Sequence, residues 1–237
     1  MSNSFLSLKG VTAGYEENVV LQDVSLDVNQ GEVVSIVGRN GAGKTTTLRT
    51  IMGELEAASG AISYRDEDIT NLPPNEIYRR GIGLVPEHRG IFPDLTVEEN
   101  LQVGGVTVDD NWLSVEGAYD YFPRLRERRT NRGAQLSGGE QQMLAIARSL
   151  RGTTDLLLLD EPTEGLAPQI VESIVDIIKQ LQADGVTVLM VEQNLKAVLE
   201  VADRHYVLAD GEIVFEGDTA DLESADDVRK RYLGVSE

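Results

Sequence analysis

Near the start of the chain, "SFLSLKGV" and "VVLQDVSLDV" alternate apolar and polar residues. That two-residue period belongs to strands with one buried face, and it predicts an antiparallel pair. The pattern then changes. "GEVVSIVG" is a continuous β-branched run ending in glycine, the signature of a strand covered on both faces in a parallel sheet. Similar runs recur at "GIGLVP", "DLLLLD" and "GVTVLMV". Between the last two, "PQIVESIVDIIKQLQADG" opens on proline, spaces its apolar residues at helical intervals and stops at glycine. Another helix is expected through "KTTTLRTIMG". Strands alternating with helices in this way predict an α/β fold, a parallel sheet with helices on its faces.

From about 93 to 133 the alternation breaks off. "DLTVEENLQVGG" carries Thr96 with Glu99 three residues on, a capping box, and "SVEGAYDYFPRLRERRTNRG" reads as helical and strongly charged. A helical insertion is the expectation there. After Asp203, "RHYVLADGEIVFEGD" reads as a hairpin turning at "DG", followed by a short helical tail.

Charge adds a constraint on partners. The 237 residues hold 40 acidic and 21 basic side chains, a formal net charge of −19. Such a field repels the phosphates of nucleic acids and anionic lipids, so neither is expected to bind the surface directly. Lysine is confined to Lys9, Lys44, Lys179, Lys196 and Lys230. An acidic, lysine-poor surface suits concentrated salt, where screening removes self-repulsion. Without cysteine there is no disulfide framework and no thiol chemistry. "MSNSFLSLKG" lacks the basic flank and apolar run of a signal peptide. No apolar run approaches the roughly 20 residues that span a bilayer. The expectation is a soluble, cytoplasmic chain unless something else holds it at a membrane.

The chemistry is concentrated in three short stretches. "GRNGAGKTT" (38–46) fits the phosphate-cradling pattern G-x-x-x-x-G-K-[ST]. Its glycines let backbone N–H groups turn inward around phosphate oxygens, and the helix start adds partial positive charge. Lys44 would reach the outer phosphates and the Thr45 hydroxyl would ligate Mg²⁺. "LLLLDEP" supplies acids at a strand end: Asp160 to hold Mg²⁺, and Glu161 to face the water that attacks the γ-phosphate. "LSGGEQQMLAIARSL" (136–150) opens a helix with glycines and a second capping box, Ser137 with Glu140. Taken alone, that box only caps its own helix.

P-loop, "LSGGEQQ" and "LLLLDEPT" in this order resemble the ABC-type ATPases, and the resemblance covers essentially the whole chain. It implies a P-loop NTPase core of the ABC ATPase type with an antiparallel β subdomain and an α-helical insertion. RecA-like and antiparallel parts would occupy about 1–92 and 152–237, and a helical subdomain about 93–151. ATP would be bound with Mg²⁺ by Gly38, Arg39, Asn40, Gly41, Ala42, Gly43, Lys44, Thr45 and Thr46, with Tyr15 of "TAGYEE" stacked on adenine. In that family the "LSGGE" helix start covers the γ-phosphate of ATP held by a second subunit. Ser137, Gly138, Gly139 and Glu140 would therefore serve a partner.

Several positions depart from the common pattern. Glu87 in "LVPEHRGIFP" stands where most of the family has glutamine, and it can still ligate Mg²⁺ or orient water. Gln193 in "MVEQN" stands where most have the histidine that holds the γ-phosphate; it can hydrogen-bond a phosphate but cannot become a cation. Ala167 sits where aspartate is common. The two histidines, His88 and His205, are expected at the surface. "VPEHRGIFPDLTVEENL", "DEPTEGLAP" and "VEQN" are similar to one branch, the second ATP-binding subunit of branched-chain amino-acid importers. That branch implies a sister ATPase, integral membrane permeases contacted through residues 94–133, and an extracytoplasmic solute-binding protein. The chain would lie on the inner face of the cell membrane, peripheral through its permeases. Other cargo, such as urea, amides or aromatic acids, stays open, because cargo never touches this subunit. A DNA-acting clamp would need long coiled coils before "LSGGE", and a ribosome-acting ATPase would carry two cassettes in one chain.

Overall fold

The computed structural model describes residues 4–16, 18–105, 113–152 and 154–234. Part of the expected helical subdomain, 106–112, lies outside the described residues.

Two sheets carry the fold. The first has the order β2-β1-β4-β5, built from β1 (Leu6–Tyr15), β2 (Asn18–Val28), β4 (Ala57–Tyr64) and the two-residue β5 (Glu67–Asp68). β1 pairs antiparallel with β2 and with β4, so the alternating segments at the start of the chain do form a pair. β4 has no clear period in the sequence, because its "AASGAIS" core is small and polar.

The second sheet has the order β10-β9-β3-β8-β7-β6. Four apolar runs form its parallel part: β3 (Val33–Val37), β6 (Ile82–Val85), β7 (Leu156–Asp160) and β8 (Thr187–Glu192). β9 (Arg204–Ala209) runs parallel to β3, then turns through Asp210 and Gly211, both at positive φ, into antiparallel β10 (Glu212–Asp218). Every residue of β3, β7 and β8 is buried, which is why these runs do not alternate. Each fully buried Leu, Val or Ile contributes about 1.5–3 kcal/mol relative to exposure.

Helices pack on both faces. α1 (Lys44–Ile51) follows β3, α2 (Pro74–Arg79) precedes β6, and α8 (Leu195–Val201) follows β8. α7 (Pro168–Ala183) starts at its proline and buries Ile174, Val175, Ile177, Ile178 and Leu181, the stripe that its periodicity predicted. α9 (Thr219–Ser224) opens the tail.

Between β6 and β7 come α3 (Val97–Gly104), α4 (Val115–Tyr121), α5 (Pro123–Glu127) and α6 (Gly138–Leu150). α3 begins with the Thr96–Glu99 capping box. The charged stretch after Ser114 is broken into two helices. Pro123 forbids helical geometry at Phe122, whose φ −125° and ψ 70° end one helix before the next begins.

One expectation is overturned. His205 is fully buried on β9, its Nδ1 2.7 Å from Ser35 Oγ and its Nε2 2.9 Å from Thr219 Oγ1. Two hydroxyls satisfy both ring nitrogens, and this makes burial affordable. His88 is exposed.

Candidate functional site

Register in the parallel sheet brings the site together. β8 lies between β3 and β7, with Val37 opposite Glu192 and Asp160 opposite Val191. Three strands thus end at one level, and the segments leaving them converge on the carboxyl edge of the sheet, where open α/β sheets bind ligands. The P-loop leaves β3, Glu161 follows β7, and Gln193 follows β8.

Residues 38–43 curl from β3 into α1. Gly43 takes φ 110° at the helix start, a conformation that L side chains avoid, and a Cβ there would lie 2.8 Å from Leu21 Cδ2. Lys44, only 4% exposed, donates to the carbonyls of Gly38 (2.9 Å) and Arg39 (3.2 Å), and pairs with Glu161 Oε1 at 3.0 Å. Its ammonium is therefore held inside the curl of the loop, where phosphate oxygens would meet it.

Thr45 Oγ1 donates to Asp160 Oδ1 at 3.0 Å. Burial pushes the Asp160 carboxyl up to about 6, reinforced by the charges of Glu87 and Glu161 and opposed by the Thr45 hydrogen bond and Arg49. Glu161 sits at φ 46°, outside the strand and helix regions, its N–H donating to Val191 O at 2.9 Å. That strained turn aims its carboxylate at Lys44. Gln193 Nε2 donates to both carboxylate oxygens of Glu161, at 3.1 and 2.9 Å, and to Asn40 Oδ1 in the P-loop. A cavity of about 460 Å³ lies over the P-loop, with Lys44, Thr45, Glu87, Glu161 and Glu164 in its wall.

The predicted residues at 38–46, with Glu87, Asp160, Glu161 and Gln193, meet at this edge. Tyr15 does not line the cavity. It ends β1, 41% exposed, and its hydroxyl accepts from Arg49 Nη1 at 3.3 Å.

Ser137–Glu140 also stand apart from it. The capping box is closed: Ser137 N donates to Glu140 Oε2 at 2.9 Å, and Glu140 N to Ser137 Oγ at 3.3 Å. Gly139 packs on α7 so closely that a Cβ would lie 2.6 Å from Ile170 Cγ2. The self-capping reading of this stretch holds, and the helix start does not line its own P-loop cavity.

Four residues near this chemistry were not singled out in the sequence. Arg49 sits one turn into α1 and acts on Asp160. Arg89, at φ 65°, donates from Nη1 to Gln141 Oε1 at 3.1 Å and lies against Gly138. Glu164 borders the cavity; burial raises its carboxyl above the usual range, helped by Glu161 and Glu87. Glu192 is 2% exposed at the end of β8. The signal for Glu192 was present: an acid closing an apolar run, as Asp160 closes "LLLL".

The chain is similar to known proteins over nearly its whole length. The sequence pattern of the ABC transporter family matches residues 21–164. The high-affinity branched-chain amino acid transport ATP-binding protein BraG of Pseudomonas aeruginosa is 48% identical over 231 residues, 97% of this chain and 99% of that protein. The probable branched-chain amino acid transport ATP-binding protein LivF of Archaeoglobus fulgidus is 38% identical, over 95% and 97%. The lipopolysaccharide export system ATP-binding protein LptB of Escherichia coli is 37% identical, over 97% of each. A nucleotide-free ATP-binding cassette of an ABC transporter superposes with a TM-score of 0.85 at 28% identity, over 99% of this chain and 100% of that one. A dimeric post-hydrolysis cassette bound to ADP and Pi gives 0.81 at 29% identity, over 90% and 98%.

Proposed function

The chain belongs to the ABC transporter family as an ATP-hydrolysing subunit, and we propose that it powers the import of branched-chain amino acids. What carries the catalytic part of this reading is the meeting of Lys44, Thr45, Asp160 and Glu161 at one sheet edge while Ser137 and its glycines lie outside that cavity. A chain so built has a P-loop that wants a lid, and a glycine-rich helix start that its own P-loop does not use. Two copies, or this chain and a sister ATPase, complete each other across ATP, in keeping with the dimeric relative. ATP then becomes part of the interface and shifts the pair toward closure.

In the closed pair the P-loop N–H groups and Lys44 hold the phosphates. Glu161 accepts the proton of the attacking water as its oxygen bonds the γ-phosphorus and the bond to the bridging oxygen breaks, so ADP leaves with that oxygen. Gln193 holds the Glu161 carboxylate in place. Thr45, Asp160 and Glu87 offer hard oxygen donors; burial first, then the charges of Glu87 and Glu161, raise Asp160, and a divalent cation bound there would relieve both. Mg²⁺ bound there would neutralise charge building on the β- and γ-oxygens.

Among the described residues no helix is long and apolar enough to cross a membrane. Attachment would come through permeases. A groove of about 490 Å³ between the P-loop layer and the helical layer suits their docking, with Phe92 (43% exposed) and Val103 (41%) on its rim and Tyr78 and Arg148 in its wall. On this reading the subunit lies on the cytoplasmic face, and a solute-binding protein outside would deliver cargo. Leucine, isoleucine and valine are favoured over lipopolysaccharide export by the higher identity to BraG than to LptB, and by the "VPEHRGIFP" and "VEQN" motifs.

The test is to purify the complex that this chain forms in detergent-solubilised membrane, reconstitute it in vesicles with its solute-binding protein, and follow uptake of labelled leucine with ATP on the cytoplasmic side. Leucine uptake that disappears with Lys44→Ala is the expected result. ATP-driven uptake of urea or amides without leucine would overturn the cargo.

A further inference from the structure

We infer that Glu192 is a positioning residue for hydrolysis, tying the turn that carries Gln193 to the turn that follows Glu161; the inference rests on the reading of Glu161 as the base. Its carboxylate is buried at the end of β8 and accepts three backbone hydrogen bonds. Oε1 takes one from Thr163 N at 2.9 Å, and Oε2 takes two, from Gln193 N at 3.0 Å and Asn194 N at 3.1 Å. Asn194 Nδ2 adds a cross-link to Thr163 Oγ1 at 3.3 Å.

Backbone N–H groups just beyond a parallel strand have lost their ladder partners, and buried ones must be satisfied. Here one side chain satisfies donors from two separate loops. The cost is a carboxyl group buried beside the charge of Glu164, where an apolar residue would bury at far less cost. A carboxylate with three N–H donors tolerates such a place, because charge-assisted bonds are short and strong. What the arrangement provides is geometry. Gln193 reaches both oxygens of Glu161 only if its backbone is fixed, and Glu161 leaves β7 in a left-handed turn whose continuation, Thr163, is the other end of the clamp. Glu192 does not line the cavity over the P-loop, and it acts through Gln193 and Glu161.

The experiment uses the full-length chain with Glu192→Gln, Gln193→Ala, the double variant and Glu161→Gln. It measures kcat and KM for ATP, ADP affinity by calorimetry, and melting temperature. Glutamine keeps the shape of Glu192 but turns an NH₂ toward backbone N–H donors, so at least one anchor fails. Glu192→Gln should lower kcat about tenfold to hundredfold, the scale of one or two lost charge-assisted bonds. KM and ADP affinity should stay within about threefold. In the Gln193→Ala background the further loss should be under about twofold, because both changes release the same carboxylate. Should Glu192→Gln melt below the assay temperature, Glu192→Asp, which keeps the charge but withdraws it by one methylene, decides on the same criteria. Unchanged kcat overturns the inference, as do losses that multiply in the double variant or a KM that rises in step with the fall in kcat. Full turnover by Glu161→Gln would instead remove the assignment of the base on which the inference stands.

Discussion

Changing Glu161 to glutamine should slow turnover and tighten nucleotide binding in the same protein. Glu161 and Lys44 are 3.0 Å apart, with side chains 9% and 4% exposed. At an effective dielectric of about 20, unit charges at that spacing attract by about 5 kcal/mol before desolvation is counted. The net worth of a charge-assisted hydrogen bond is about 1.5–3 kcal/mol. Phosphate oxygens must take Lys44 from this carboxylate, so the pair competes with nucleotide. Glutamine has no charge but still offers Lys44 an oxygen, so the lower end of the range is released to binding, about tenfold in Kd. Hydrolysis loses its proton acceptor and should fall at least about a hundredfold. Calorimetric titration of the full chain and Glu161→Gln with a non-hydrolysable ATP analogue and Mg²⁺ gives the first quantity, and phosphate release gives the second. Weaker analogue binding by a folded Glu161→Gln would refute competition between Lys44's two partners. Near-normal hydrolysis would refute Glu161 as the base.

Three other outcomes follow from the structure. Ser137→Arg and Lys44→Ala chains, each inactive alone, should recover turnover when mixed, since a mixed dimer has one intact composite site; mixed dimers proven by differential tagging but inactive would deny the shared site. Dimerisation of Glu161→Gln with Mg–ATP, followed by sedimentation, should strengthen as KCl rises, because the Debye length falls from roughly 30 Å at about 0.01 M to roughly 3 Å near 1 M and the formal −19 of each chain is screened; a folded protein that dimerises best at low salt would contradict this. Desolvation holds buried His205 below its ordinary 6.5, against the charges of Asp218 and Asp203. At this site the unfolded chain binds the extra proton below about 6.5, so His205 costs stability as pH falls from 7.5 to 5.5, while Asp160, raised to about 6, works in the opposite direction. The denaturant midpoint of His205→Gln should therefore gain on that of the unsubstituted chain as pH falls; a constant difference between the two would remove His205 as a cause.

Period and punctuation alone determined much of this protein. Runs such as "VVSIV" and "LLLLD" have no polar face, so they could only be strands covered on both sides, and the alternation with α7's apolar stripe required a parallel sheet. Gly43, Lys44 and Thr45 were legible because their chemistry is local: a glycine-permitted turn, a cation and a hydroxyl within one helix start. Asp160 and Glu161 were legible as acids closing an apolar run. Sequence spacing does not encode which strands lie side by side. Only the tertiary order put β8 between β3 and β7, and this brought Gln193 onto Glu161 and made Glu192 the common acceptor for two loops. For the same reason His205 was misjudged. One histidine in a late strand reads as exposed until Ser35 and Thr219, distant in the chain, arrive to satisfy its two nitrogens. Short-range pattern fixes what each segment can bury, while a buried polar group is decided by partners that only the packed sheet supplies.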